Sequence, residues 1–304
     1  TVSFVDGDYV TFDDSGSNSP SIKLSGTLSP LKLTVNAAKN YTFGSNGFLA
    51  GAMSLTKSGA GMLTISNANT FTNGTLIDGG AITLAGSGKL GGGTITLAGG
   101  TLNSIYSGST DLLLPDDVVV PASETGTVNM SPRMTFSGAS GDGTLNVIVT
   151  GSNFNYDRFN GAFAGFTGTL NITGSVSSAL LTLHYNGGSF DGNLASAVVS
   201  LDNVTIQGRN NSFGNTLTLG ALSGTSSATL GGSGYAGNQT ISVGGLGLDT
   251  TFAGSIENGV AVTTFTKTGG GTLTLTGTNT HSGTTTVTAG TLAVGGMFTV
   301  SPIT

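Results

Sequence analysis

The chain of 304 residues has no cysteine, no tryptophan and few charges. The absence of cysteine excludes disulfide bridges and cysteine-based zinc sites. Only nine residues are Lys or Arg and the net charge is −6, so the chain offers no basic patch for nucleic acid or an anionic membrane surface. Gly or Thr interrupts the apolar runs within about five residues, far short of the roughly 18 apolar residues of a membrane-spanning helix.

Few charges do not indicate disorder here, because 37% of the residues are hydrophobic and can fill a core. Apolar residues alternate with Thr, Ser or Asn, as in Leu145, Val147 and Val149, and this period of two predicts β-strands with one inward face. No segment has a helical apolar stripe. Glycine-rich corners such as residues 59–61 and 269–271 separate the strands.

One 30-residue phrase occurs twice, at residues 55–84 and 265–294, and its two copies align without a gap. Lys57 aligns with Lys267, and Asn69 with Asn279. Short strands at 8–12-residue spacing fit a sandwich, a barrel or a solenoid. The repetition, the few hairpin dipeptides and the lack of longer loops favour the solenoid. We therefore predict an all-β, parallel β-helix of about a dozen coils, each of about 20–25 residues, forming a rod roughly 60 Å long.

The whole chain, residues 1–304, is predicted to form one continuous solenoid. Within it we distinguish N-terminal coils (1–54), the first repeat region (55–103), an irregular middle (104–168) and C-terminal coils with the second copy (169–304). In the middle, residues 111–121 contain two prolines and three aspartates and are interpreted as a loop or a strand excursion.

No catalytic, cofactor-binding or metal-binding site is predicted. Asp111, Asp116 and Asp117 could form a carboxylate cluster, but a solvated loop is the favoured interpretation. A second acidic group could share a Ca²⁺ ion or serve as solubilising charges at a terminal strand. This group consists of Asp6, Asp8, Asp13 and Asp14.

The aromatic residues of the middle also have two interpretations, stacking inside the coils or a carbohydrate-binding face, and the first is favoured. They are Phe154, Tyr156, Phe159, Phe163 and Phe166. The two histidines, His184 and His281, stand apart from each other and from acids, so each is interpreted as structural or surface-exposed.

The repeated phrase resembles the autotransporter-associated β-strand repeat, also called the passenger-associated transport repeat. The second copy, FTKTGGGTLTLTGTNTHSGTTTVTAGTLAV, departs mainly at His281, where the family usually has an aromatic residue. The first copy keeps that aromatic as Phe71 but departs at Met62 and at residues 73–78. The resemblance implies a right-handed parallel β-helix that is extracellular or on the bacterial cell surface. Because the chain is poor in groupings of catalytic side chains, we also predict no enzymatic activity.

Two functions remain open at this point. The favoured one is a structural or adhesive surface protein, with itself (as a head-to-tail homopolymer) or the cell surface and extracellular matrix as partners. Uncapped solenoid ends invite strand addition, and the candidate assembly edges are Thr1, Val2, Ser3, Phe4, Val5, Met297, Phe298, Thr299 and Val300. The alternative is a polysaccharide-binding or polysaccharide-degrading β-helix that uses the aromatic segment and Asp116 with Asp117.

Overall fold

The architecture comes from a computed structural model. It describes residues 3–16, 21–86, 88–105, 112–114, 117–131, 134–152, 157–184, 193–209, 215–231, 238–260, 262–298 and 303–304. These residues form strands joined by turns, and no helix. The described part of the chain therefore contains no helix long and apolar enough to cross a bilayer.

The strands are short in the repeat regions and longer in the middle. The N-terminal strands are β1 (Tyr9–Asp13), β2 (Ser21–Lys23), β3 (Thr27–Leu28), β4 (Lys32–Asn36), β5 (Tyr41–Gly44), β6 (Phe48–Leu49), β7 (Ser54–Ser58), β8 (Met62–Ile65), β9 (Ala68–Asn69), β10 (Thr75–Ile77), β11 (Ala81–Leu84), β12 (Lys89–Leu90), β13 (Ile95–Leu97) and β14 (Thr101–Ser104). The middle strands are β15 (Leu112–Leu114), β16 (Val118–Val120), β17 (Thr125–Asn129), β18 (Met134–Gly141), β19 (Thr144–Val149), β20 (Arg158–Ala162), β21 (Thr169–Gly174), β22 (Ala179–His184), β23 (Asn193–Asp202), β24 (Val204–Arg209) and β25 (Asn215–Gly224). The C-terminal strands are β26 (Thr229–Gly231), β27 (Gln239–Val243), β28 (Thr250–Phe252), β29 (Ser255–Glu257), β30 (Thr263–Lys267), β31 (Thr272–Leu275), β32 (Thr285–Val287) and β33 (Thr291–Val294).

Successive coils stack in parallel and confirm the predicted all-β solenoid, which has about 11 turns. A coil of the first copy has three sides. The first side is formed by β7 and β10, the second by β8 and β11, and the third by β9 and β12. Two large sheets of 13 and 16 strands extend along the solenoid, and every strand pair reported between coils is parallel.

Coil length differs between the repeats and the middle. Leu55 pairs with Thr75 in the next coil, 20 positions on, and Phe265 pairs with Thr285 at the same spacing. In the middle, Leu170 pairs with Val199, 29 positions on. The longer coils contain β18, β23 and β25, which continue past a corner. For example, residues 134–136 of β18 pair with β15, whereas residues 139–141 pair with β16. The segment 111–121, predicted as a loop or a strand excursion, thus contains two strands, β15 and β16. Both pair with the long strand β18 of the next coil.

The core follows the alternation read from the sequence. In β19, Leu145, Val147 and Val149 are buried while Thr144 and Asn146 lie on the outer face. Most apolar residues of both copies also lie at inward positions, because consecutive side chains of a strand point to opposite faces. A polar residue placed at an inward position is therefore buried by the alternation alone.

Candidate functional site

The N-terminal coil presents strand edges that are unpaired in the described structure. β1 pairs only with β4, β2 only with β5 and β3 only with β6. Of the predicted N-terminal edge residues, Thr1 and Val2 lie outside the described residues. Ser3, Phe4 and Val5 are exposed and belong to no strand. Among the described residues, the open edge is formed by β1, β2 and β3. A role of residues 1–5 in assembly stays a prediction.

The C-terminal coil is followed by pieces of a further coil. Asn279 N donates to Met297 O at 2.8 Å, and Phe298 pairs with Asn279 on the third side. On the first side, Thr304 N donates to Thr285 O at 2.9 Å. Met297 and Phe298 thus form a rung stacked on the last coil, and the outer edges of this rung and of β33 are unpaired among the described residues. Thr299 and Val300 lie outside those residues.

Both ends leave part of the hydrophobic core accessible. Among the described residues, six apolar side chains pack against the core but are only half-buried, and all six lie in the first or last coil. They are Val10, Phe12, Ile22, Leu28, Leu292 and Phe298. The interior coils bury the corresponding inward positions almost completely, so these two ends are the places where added coils would bury further apolar surface.

The repeated phrase spans one and a half coils. The first copy runs from β7 through β8, β9 and β10 to β11, so its second half stacks on its first half. The second copy repeats this arrangement with β30, β31, β32 and β33, and Asn279 takes the place of Asn69 on the third side. Each copy therefore contains the contacts that join two successive coils.

A buried lysine donates hydrogen bonds to the glycine corner of each copy. Lys57 is fully buried, and its Nζ donates to the carbonyl oxygens of Ser58 at 2.6 Å and Gly59 at 2.8 Å. The same Nζ lies 3.4 Å from Gly79 O in the next coil. The ammonium thus brings together carbonyl groups from two successive coils.

Lys267 repeats this geometry 210 residues later. Its Nζ donates to Thr268 O at 2.6 Å, to Gly269 O at 2.9 Å and to Ala289 O at 3.3 Å, the equivalent three carbonyls. Burial lowers the pKa of both Lys57 and Lys267, and Asp249 partly offsets this for Lys267. Because three carbonyls occupy each ammonium, neither lysine is placed to act as a nucleophile. We call this arrangement the lysine clamp.

An asparagine holds the third side in both copies. Asn69 Oδ1 accepts from Leu49 N at 2.9 Å, and Asn69 Nδ2 donates to Lys89 O at 2.9 Å, so one side chain joins three coils. Asn279 Oδ1 accepts from Ile256 N of the preceding coil at 3.2 Å. The shared positions of the phrase therefore serve coil stacking.

The comparisons with known proteins agree with this geometry. Residues 55–84 and 265–294 both match the family model of the passenger-associated-transport-repeat. The chain carries two transport repeats. It is also similar to the adhesin BmaC autotransporter of Brucella suis biovar 1 (strain 1330), with 29% identity over 276 residues that cover 78% of this chain and 8% of that protein. The chain thus spans less than a tenth of this relative's length. No solved structure gives a significant match.

Outside the transport repeats, the N-terminal acidic residues are engaged by the backbone. Asp6 Oδ1 accepts from Ser29 N at 2.9 Å, and the two oxygens of Asp14 accept from Ala38 N and Lys39 N of the next coil. The backbone hydrogen bond from Ala38, with that from Lys39, holds the pKa of Asp14 below its usual value. No group of three potential metal ligands occurs among the described residues. These carboxylates join the first two coils.

The remaining residues singled out from the sequence do not converge on a cleft where the structure describes them. Phe159, Phe163 and Phe166 are fully buried, and the Phe159 and Phe163 rings stack at 4.6 Å, so these three cannot form a carbohydrate-binding face. Phe154, Tyr156, Asp111 and Asp116 lie outside the described residues, and Asp117 is exposed. The backbone of His184 belongs to β22, but its side chain is outside the description. His281 is buried in the second transport repeat.

The outer faces carry polar side chains that bond to one another along the solenoid. Asn129 Nδ2 donates to Asn103 Oδ1 at 2.6 Å on one side. Thr264 Oγ1 donates to Thr240 Oγ1 at 2.9 Å on another. Such ladders stabilise stacked strands and present uncharged hydroxyl and amide groups outward.

Asp157 is a buried carboxylate that the sequence pattern did not identify. Its Oδ2 accepts from Thr150 N at 3.0 Å and Gly151 N at 2.8 Å, while Oδ1 has no hydrogen-bond partner in the described structure. Burial raises the pKa of Asp157 to about 6, although the backbone hydrogen bond from Gly151 opposes the rise. The signal in the sequence was its place at an inward position, two residues before Phe159.

We expect Asp157→Asn to remove a pH dependence of stability between about pH 4 and pH 6. The folded protein holds the Asp157 proton more tightly than the unfolded chain, so stability is greatest at low pH and is lost as pH rises through the folded pKa. A pKa of about 6 against the ordinary 3.8 corresponds to about 3 kcal/mol. Urea unfolding of the unaltered chain and of Asp157→Asn from pH 4 to pH 7.5 measures how the free energy of unfolding changes with pH. A stability difference that is the same at every pH would contradict the assignment.

Proposed function

We propose that this chain is a non-enzymatic segment of an adhesive bacterial surface protein, and that its end coils extend the stack by strand addition. The chain is a secreted or cell-surface protein, because it carries two transport repeats and resembles a protein named as an adhesin autotransporter. Adhesion, self-assembly and partners are the proposed parts. The lysine clamps, and the hydrogen bonds that Asn69 and Asn279 make between coils, support a scaffold role, because the repeated polar residues serve stacking.

The open ends are the observation that carries the assembly proposal. Edge strands with free backbone groups and half-buried apolar residues are suited to accept further strands. The occupant we propose is a second copy of this chain, added head to tail. A parallel stack can continue only when a C-terminal coil meets an N-terminal coil. β1, β2 and β3 follow the same order of sides as β32, β33 and Phe298, and on the first side Ile303 and Thr304 already stack on β32.

Head-to-tail contacts that do not close into a ring produce filaments. At about 4.8 Å per coil, the 11 turns form a rod of roughly 50 Å, so an assembly should show lengths near multiples of that value. Electron microscopy and sedimentation velocity of the purified chain over a wide concentration range measure the lengths. We expect rods that lengthen as concentration rises.

Charge at the ends should stop this growth. We expect Val10→Lys and Leu292→Lys each to keep the rods short, because a charge at an edge opposes strand addition. Val176→Lys is the matched control, since Val176 is an exposed valine, 39% accessible, between β21 and β22 and many coils from both ends. If the unaltered chain gives only short, uniform rods at every concentration, a second copy is not the occupant. Covalently continuous coils of a longer protein would then be the better explanation.

A further inference from the structure

His281 occupies the aromatic slot of the second transport repeat, in the last complete coil. It is fully buried, and its Nε2 lies 2.8 Å from Thr285 Oγ1. The imidazole meets the Phe298 ring edge-to-face at 5.3 Å, and Phe298 belongs to the end rung. The ring therefore connects the interior of the last coil to the open end of the solenoid.

The imidazole has one nitrogen without a partner. Nδ1 is buried and makes no hydrogen bond among the described residues. In the neutral ring this leaves a single unpaired atom, whereas protonation would place a charge and an additional N–H donor there. Burial lowers the pKa of His281, and the nearby backbone of Ile256 opposes the shift. The neutral ring is the form that the coil accommodates.

Among the described residues, the elements around His281 supply no counter-charge. Glu257 on β29 accepts from Ser255 Oγ at 2.7 Å, and Lys267 on β30 is held by the three carbonyls of the lysine clamp. Neither is hydrogen-bonded to the ring. β32 and the described end-rung residues Met297 and Phe298 carry no titratable side chain. Within the described structure, a proton on His281 would thus have no counter-charge.

The first transport repeat provides the contrast. There the slot holds Phe71, and the Thr75 hydroxyl, equivalent to that of Thr285, is buried without a partner. Phe71 lies between complete coils, since Thr70 N donates to Leu49 O and Gly92 N donates to Phe71 O. The titratable ring is found in the terminal copy, which the described end rung covers through hydrogen bonds such as Asn279 N to Met297 O and Val287 N to Thr304 O.

We propose that His281 is a pH switch for the C-terminal coil: its protonation opens the slot and releases the rung at Met297 and Phe298. The opening of the coil is inferred from the contacts of His281 alone. The expected consequence, that acid controls end-to-end assembly, rests on the proposed function. The sign follows from linkage, because the open coil binds the proton more tightly than the closed coil, so closure weakens as pH falls below about 6.5.

Hydrogen–deuterium exchange of the full-length monomer at pH 7.5 and pH 5.0 tests the opening, with exchange times corrected for intrinsic rates. Amides at 279–298 should lose protection, by up to about tenfold per pH unit below 6.5 until the ring itself titrates in the closed coil. Amides at 69–88, the equivalent positions of the first repeat, should keep theirs. Unchanged protection at 279–298, or an equal loss in both repeats, would overturn the proposal.

Two variants sharpen the result. His281→Phe should keep residues 279–298 protected at pH 5.0, and an acid-induced opening that persists in this variant would exclude His281 as its cause. In a His184→Gln background only one histidine remains, and its NMR titration should give a pKa below 6.5; a value at or above 6.5 would reject the switch even if His281→Phe does not fold. Because the readout uses monomers, a failure of assembly leaves it unaffected.

Discussion

Replacing Gly80 by alanine is expected to cost about 3 kcal/mol or more of stability. Gly80 has φ of +59°, and a Cβ there would collide with the backbone oxygens of Gly59 and Gly61 in the preceding coil. An L-residue with this φ already costs roughly 1–2 kcal/mol, and the collision adds to it because backbone atoms cannot move aside. Gly290 in the second repeat has φ of +70° and would meet Gly269 and Gly271 in the same way. Urea unfolding monitored by circular dichroism measures the loss.

The chain contains its own control for this substitution. Gly270 has an ordinary φ and open space around it, and the equivalent position of the first repeat is Ala60. Gly270→Ala should therefore change stability by no more than about 0.5 kcal/mol. If Gly80→Ala and Gly270→Ala proved equally mild, the close approach of coils at the Gly80 corner would be wrong.

The second large effect is expected for Lys57→Met. The thioether fills much of the same space but donates nothing, so the carbonyls of Ser58 and Gly59 lose a charged donor. Hydrogen bonds to charged groups contribute about 1.5–3 kcal/mol each. Part of the lost free energy is recovered, because the variant no longer buries a charge. The cost of that burial is seen in the lowered pKa of Lys57. We expect a net loss of about 3 kcal/mol in the free energy of unfolding.

Lys32→Met is the matched control, because Lys32 lies exposed on β4, the neighbour of β7. It should shift stability by less than about 0.5 kcal/mol. Lys267→Met tests the same clamp in the second repeat and should loosen residues 265–290 first in hydrogen exchange. A Lys57→Met protein as stable as the Lys32→Met protein would show that the clamp does not hold the coils together.

Together these contacts explain why the phrase is one and a half coils long. A single coil would contain the lysine and its own corner but not the carbonyl of the next coil, Gly79 or Ala289. The phrase also includes the glycine, Gly80 or Gly290, that allows the next corner to approach. The repeat is thus a unit of stacking, and its polar residues are accounted for without a catalytic role.

Some features escaped sequence analysis for identifiable reasons. The alternation places Lys57 at an inward position in line with Leu55, yet a lysine inside a core is unusual enough that the pattern alone did not assign it a role. Asp157 was hidden among aromatic residues in the same way. The bridges made by Asp6 and Asp14 depend on which backbone groups lie one coil away, and coil length is not constant along the chain.

The sequence by itself determined the strand period, the glycine corners, the repetition and hence the solenoid, because these depend on local backbone preference and on the burial of alternate residues. Tertiary structure alone decided which residues meet across coils. That depends on spacing, which is 20 residues in the transport repeats and up to 29 in the middle. It brought Lys57 to Gly79 and Phe298 to His281, and it placed β1, β2 and β3 at the N-terminal edge of the described residues. Hydrogen bonds between coils act over a few ångströms, so the register of stacking had to be known before they could be assigned.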